Sequence, residues 1–259
     1  MRDLPLDAEG LEALTDLEDV LAVAPILEAL TDEVDILLFI APGCQVCPHQ
    51  VRAAATVALA NPLVHLEMVD ATQDPALARR HAIGSVPTTI IDGDVVLVGV
   101  TPVPELAHTL VKWQGPGAET VVLASLVEAG RHADAGQRLA DGLAADAFME
   151  LWERSTLESR MGLMLAVEEA LDLNPDGLTA LVPRLVAGLD GLGPLADDET
   201  RRGDTADLLG RIGNPDARPA LERLCHDTNE QVAEAARAAL DELAGGSPPT
   251  PSCSQTQLR

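Results

Sequence analysis

The chain has almost no lysine: Lys112 is the only one, so 16 of the 17 basic residues are arginines, against 42 acidic side chains and a formal net charge of −25. No cluster of Lys and Arg occurs along it. That argues against nonspecific nucleic-acid binding, because a phosphate-binding face needs grouped cations. There is no run of eighteen uncharged apolar residues, so no membrane span is expected. The opening M-R-D-L-P-L-D-A-E-G is acidic and does not lead into an apolar segment, so no signal peptide is expected and the reading is cytoplasmic. Cysteine is also scarce, with four in all. In a reducing compartment a close cysteine pair is more often catalytic or metal-binding than structural, and the remaining thiols are expected to be free. The acidity itself fits either a salt-tolerant or biased composition or the selection of a basic partner, and composition does not separate the two.

The richest stretch is Ile36 to Gln50, I-L-L-F-I-A-P-G-C-Q-V-C-P-H-Q. Its β-branched and aromatic start predicts a buried strand, and Val51, Ala54, Ala55 and Ala58 then recur at helical spacing. Cys44 and Cys47 therefore fall at a strand-to-helix junction, where unpaired amides and the helix dipole favour an anion. A thiol of ordinary pKa, about 8.5, is mostly protonated at neutral pH, and lowering that value to about 7 makes thiolate a major form. The other readings of the pair are a zinc half-site and inert packing. Zinc needs about four ligands; His49 offers a third, but Cys225-His226 lies far along the chain and nothing recruits it. Haem attachment fails because the histidine does not directly follow the second cysteine. Pro48 lacks an amide and is expected to distort the first helical turn.

Around this stretch the periodicities alternate. Leu11, Leu14, Leu21, Ala24, Leu27 and Leu30 predict a leading helix over 8–32, broken or restarted at Pro25. A strand is predicted over 63–69, parallel to the first, and Asp74-Pro75 predicts a capped helix to Ala82. Arg79, Arg80 and His81, before the Pro87 loop, read as a solvated helix face, or as groups that face an acidic substrate or assist thiolate formation. Thr88–Ile91 and Val95–Val98 flank Asp92-Gly93-Asp94 as a hairpin, and 101–113 closes as a helix. Gln114-Gly115-Pro116-Gly117 ends every strand signal.

Beyond it the pattern is wholly helical. Asn174-Pro175-Asp176 followed by Leu181 recurs as Asn214-Pro215-Asp216 followed by Leu221, and Ala206 and Leu209 are echoed by Ala236 and Ala239. Such self-similarity predicts stacked helix pairs, since one amphipathic pair does not bury its apolar face alone. Cys225 is expected in the core. The tail 245–259, rich in Gly, Ser, Pro and Thr, is expected to be disordered, with Cys253 exposed in it. The expected division is 1–114, a 115–117 linker, 118–244 and the tail.

The order strand, P-G-C-Q-V-C-P, strand and helix, then S-V-P-T-T before a hairpin resembles the thioredoxin/glutaredoxin superfamily. Within it the likeness is to the redox-active half of the N-terminal domain of alkyl hydroperoxide reductase flavoproteins, itself similar to archaeal protein disulfide oxidoreductases. The resemblance spans roughly 9–114. It implies an α/β domain with a central mixed sheet flanked by helices, in which Cys44 attacks, Cys47 resolves, and Val86 with a cis Pro87 binds substrate backbone beside the disulfide. General thioredoxins carry tryptophan directly before the first cysteine and a buried aspartate six residues before it. Here those positions are Gly43 and Leu38, so the client surface differs. The run L-G-R-I-G-N-P-D-A-R-P-A-L-E-R-L (209–224) resembles HEAT-like repeats, implying an all-α solenoid.

The resulting expectation is a cytosolic thiol–disulfide oxidoreductase whose Cys44–Cys47 dithiol reduces or exchanges partner disulfides, with the repeats recruiting the partner. It needs no cofactor and no metal. Its partners are a disulfide-containing client protein and an electron-donating reductase, with no nucleic acid and no membrane. The alternative is a redox-inert or redox-sensing adaptor that works through its helical repeats.

Overall fold

A computed structural model of the protein describes residues 15–191 and 193–245. The start of the expected leading helix, with Leu11 and Leu14, and the tail 246–259, with Cys253, lie outside the described residues. The described chain divides into two compact units that meet between Gly130 and Arg131.

The first unit is a four-stranded mixed sheet in the order β2-β1-β3-β4, with helices against it. β1 (Val34–Ile40) is apolar because it lies inside the sheet, with Ile36, Leu38 and Phe39 at most 1% exposed. It pairs in parallel with β2 (Val64–Asp70) and antiparallel with β3 (Thr88–Ile91), which pairs in turn with β4 (Val95–Val98). A parallel neighbour requires a crossover, and α2 (Cys47–Ala60) supplies it. Its alanines Ala53, Ala54 and Ala55 are buried, which lets it lie close to its neighbours.

α1 (Leu17–Leu27) and α4 (Val103–Trp113) pack with α2. Pro25 does not break α1 as expected. It sits inside the helix, which ends only two residues later, so little of the hydrogen-bond ladder depends on its missing amide. Leu21, placed on the buried stripe from its spacing, is 65% exposed, and Val23 takes the core position. α3 (Pro75–Arg80) closes a further cluster, with Ala78 against Phe39, Val69 and Ile90. Asp74 caps it by accepting from Leu77 N at 2.8 Å. The helix ends before Ala82, which adopts φ +53° while Ile83 N donates to Ala78 O.

Asp92 and Gly93 both take positive φ, the conformation their turn requires. The Asp92 carboxylate accepts from Asp35 N at 2.7 Å and from Trp113 Nε1 at 2.6 Å, so the hairpin tip is tied to the start of β1 and the end of α4. The Gly115-Pro116-Gly117 break connects two helices of this same unit. α5 (Ala118–Glu128) packs on β4, where the Ser125 hydroxyl accepts from Val96 N at 3.1 Å. The division of the chain therefore falls one helix later than the expected 115–117 linker.

The second unit is all helical: α6 (His132–Ala140), α7 (Ala145–Arg154), α8 (Leu157–Leu173), α9 (Leu181–Asp190), α10 (Pro194–Asp197), α11 (Glu199–Ile212), α12 (Arg218–Leu224) and α13 (Glu230–Leu243). Helix α11 packs on α13 and α6 on α8. At the first crossing a Cβ on Gly210 would stand 2.7 Å from Ala239 Cα, so only glycine permits that approach. Ala206 and Leu209 on α11 and Ala236 and Ala239 on α13 are all buried. Trp152, with no exposure, stacks on Phe148 and donates to Thr205 Oγ1 at 3.0 Å, which meets a buried indole's need for a partner.

The two Asn-Pro-Asp segments open 3₁₀ turns rather than α-helices. They also differ from each other: Asn214 accepts from Asp216 N, whereas Asn174 Nδ2 donates to Ala140 O. Cys225, at the end of α12, is buried. Among the described residues no helix is long and apolar enough to cross a membrane.

Candidate active site

β1 delivers the chain to Ala41, where the sheet ends and a tight turn begins. Gly43 takes φ +82°, which L side chains rarely adopt, and Cys44 N donates to Ala41 O at 3.3 Å. Cys44 thus emerges at the mouth of α2, whose first residue is Cys47, with Val46 at the cap position and Pro48 in the first turn. No side chain caps this end. Pro48 has no amide and His49 N donates to Val46 O at 3.0 Å, so it is the Cys47 amide that points out in front of the helix.

What stands there is sulfur. Cys44 and Cys47 are disulfide-bonded, with their Cα atoms 5.5 Å apart. Cys47 N donates to Cys44 Sγ at 3.1 Å. When the bond is reduced, that amide and the positive end of the helix dipole oppose protonation of Cys44. The two sulfurs differ in access: Cys44 is half-buried, whereas Cys47 is 4% exposed. A reagent therefore reaches Cys44 first.

The loop before β3 forms the other wall. Cys44 Sγ lies 3.6 Å from the Val86 carbonyl oxygen. The Val86–Pro87 bond is cis, Val86 is half-buried, and buried Pro87 presents its carbonyl to Gly99 N at 2.8 Å. On the other side, a cleft of about 400 Å³ is lined by Ile40, Ala41, Pro48, Val51 and Arg52 together with both cysteines. Sulfur chemistry here is open to a peptide chain and largely walled by apolar atoms.

The structure brings together Cys44, Cys47 and Val86, with Pro87 next to them in the loop. It does not bring Arg79 or Arg80 to the cleft lining: both are exposed on α3, and His81 turns its ring toward Phe39, 5.6 Å between centroids. His49 is exposed, and among the described residues no three His, Cys, Asp or Glu side chains gather as a metal site.

One contributor is missing from the sequence reading. Gln50 is wholly buried, donating Nε2–H to Thr89 Oγ1 at 2.9 Å and accepting from Thr101 N at 2.7 Å. The signal for it was available: 47, 50, 54 and 57 form one helical face, and Gln50 is the polar member of an otherwise apolar stripe.

A family model for the thioredoxin domain matches residues 33–112. A thioredoxin of Methanocaldococcus jannaschii is 33% identical over 81 residues, which cover 31% of this chain and 95% of that protein. The chain belongs to the thioredoxin family. The matched segment lies entirely within the first unit, so the first unit is a thioredoxin-like oxidoreductase domain and its Cys44–Cys47 disulfide is the family's C-x-x-C pair.

Among solved structures, the chain is similar to the NTD_N/C domain of the alkylhydroperoxide reductase AhpF of Enterococcus faecalis (V583), at 32% identity and a TM-score of 0.33, covering 34% of this chain and 42% of that one. It is also similar to a protein disulfide oxidoreductase of Aeropyrum pernix K1, at 28% identity and a TM-score of 0.33, covering 35% of this chain and 41% of that one. The chain thus spans less than half the length of these solved relatives.

Proposed function

We propose that this protein is a cytosolic thiol–disulfide oxidoreductase that reduces or exchanges disulfides of client proteins. The observation that carries the reading is the placement of Cys44 Sγ between the Cys47 amide, at 3.1 Å, and the Val86 carbonyl, at 3.6 Å. One supports a thiolate; the other is a backbone acceptor, beside the sulfur, that a client's backbone amide could reach.

In the reducing direction the Cys44 thiolate attacks one sulfur of the client disulfide. A Cys44–client bond forms, and the client's other sulfur leaves as a thiolate that takes a proton from solvent. The Cys47 thiol then gives up its proton, and its thiolate attacks Cys44 Sγ. This forms the Cys44–Cys47 disulfide and expels the second client thiolate, which is protonated in turn. Two electrons and two protons pass from the dithiol to the client, and a dithiol reductant restores the pair. Val86 and Pro87 would hold the client backbone during the first step.

The helical unit, read as a HEAT-like stack, recruits the partner. Supporting this is the surface of α8, where Leu157, Met161 and Leu165 recur every fourth residue and are 64%, 58% and 43% exposed. A run of exposed apolar side chains on one helix face is a feature of protein-binding surfaces. The same surface favours the second reading, an adaptor whose disulfide is inert or only senses redox state.

The test is reduction of a generic protein disulfide by the dithiol form in the presence of a small dithiol. Turnover that disappears in Cys44→Ser, together with a stable mixed disulfide in Cys47→Ser, supports the oxidoreductase. Failure of the wild-type dithiol to accelerate the reaction favours the adaptor.

A further inference from the structure

The buried Gln50 is unexplained by the chemistry above. It lies one turn beyond Cys47, and its two hydrogen bonds run to separate segments of the site. Thr89, also without exposure, is two residues past Pro87 on β3. Thr101 follows Gly99, whose amide holds the Pro87 carbonyl. Thr89 is also the cross-strand partner of Leu38 on β1, so the amide bridge ties α2 to the middle of the sheet.

A polar side chain this deeply buried costs stability unless both its ends are satisfied, and here both are. Sequestered amide bridges are also rigid, because breaking either bond leaves an unpaired polar atom out of reach of water. The first turn of α2 therefore keeps its place against the Pro87 segment, and with it the Cys47 amide keeps its aim at Cys44 Sγ.

We infer that Gln50 is a positioning residue of the redox pair: through Thr89 and Thr101 it holds the Cys47 amide in the alignment that stabilises the Cys44 thiolate, and so sets how readily the disulfide is reduced. A stabilised thiolate favours the dithiol form. Loosening the bridge therefore shifts the pair toward disulfide.

The inference rests on Cys44–Cys47 being a working redox couple, as proposed above, and its test needs no client. The dithiol–disulfide equilibrium of the full chain is measured against glutathione for wild type, Gln50→Leu, Thr89→Val, Thr89→Ser and the Gln50→Leu/Thr89→Val double variant, with folding followed by circular dichroism. Gln50→Leu and Thr89→Val are expected to move the equilibrium constant toward disulfide by about threefold to tenfold. Thr89→Ser, which keeps the hydroxyl, is expected to stay within twofold of wild type, and the double variant to go no further than Gln50→Leu. If Gln50→Leu does not fold, Thr89→Val against Thr89→Ser carries the test.

Loss of thermal stability with an unmoved equilibrium, or a shift toward dithiol, overturns the positioning role, because a merely structural bridge supports both redox forms alike. A wild-type pair that never equilibrates with glutathione overturns the oxidoreductase reading and this inference with it.

Discussion

Gly43 shows how one residue shapes the site. Its φ of +82° is costly for any side chain, although a Cβ there would meet nothing within 4 Å. Gly43→Ala is therefore expected to cost about 1–2 kcal/mol through backbone strain alone, read as a lower midpoint in urea. Beside it, the difference in access between the two sulfurs gives a second outcome. In the reduced protein iodoacetamide is expected to modify Cys44 well before Cys47, as peptide mapping of a time course would show, and Cys44 is expected to titrate below an ordinary thiol. Faster labelling of Cys47 would exchange the two roles.

Individual elements show what a sequence reveals and what it conceals. The strands, the crossover helix and the Asp92-Gly93 turn were legible because each is dictated within a few residues by apolar periodicity or by turn chemistry. For Gln50 only its place on the buried face of the helix was legible, from the 47, 50, 54 and 57 spacing; its partners, 39 and 51 residues away, were not, because no local pattern names them. Nor was the true end of α3. The expected helix runs to Ala82, yet α3 ends at Arg80 and Ala82 adopts the left-handed conformation. Ala82→Gly is thus expected to stabilise the protein by up to about 1 kcal/mol, with the relief of strain only partly offset by added freedom in the unfolded chain.

In the second unit the guanidinium of Arg202, on α11, donates to both Asp227 oxygens, at 2.8 and 3.2 Å, and to Ala196 O. Those bonds hold the Asp227 carboxyl below the usual carboxylate range. A depressed folded pKa contributes stability that is present above the unfolded value, about 4, and is lost as pH falls through the folded one. Asp227→Asn is accordingly expected to cost about 1–3 kcal/mol at neutral pH. The gap from wild type should narrow as the denaturation series is taken below about pH 4.

For the whole molecule, the position of the division between the units decides which fragments are viable. Gly115-Pro116-Gly117 satisfies the local chemistry of a linker equally well as that of a turn between two helices. The contact that distinguishes them, Ser125 with Val96, spans 29 residues. A fragment of residues 1–130 is expected to unfold cooperatively and to keep a reducible Cys44–Cys47 pair, whereas residues 1–114 should melt at a lower temperature. Differential scanning calorimetry on the two fragments would show this, and equal melting temperatures would restore the earlier boundary. The covering of β4 by α5 matters in another way too. An outer strand with free amides and carbonyls is a template on which a second polypeptide can add. With α5 removed, Val96 N and its neighbours would form such a template, and protein shortened at Gln114 should self-associate edge to edge with rising concentration. In the full chain, with α5 in place over β4, no such association is expected.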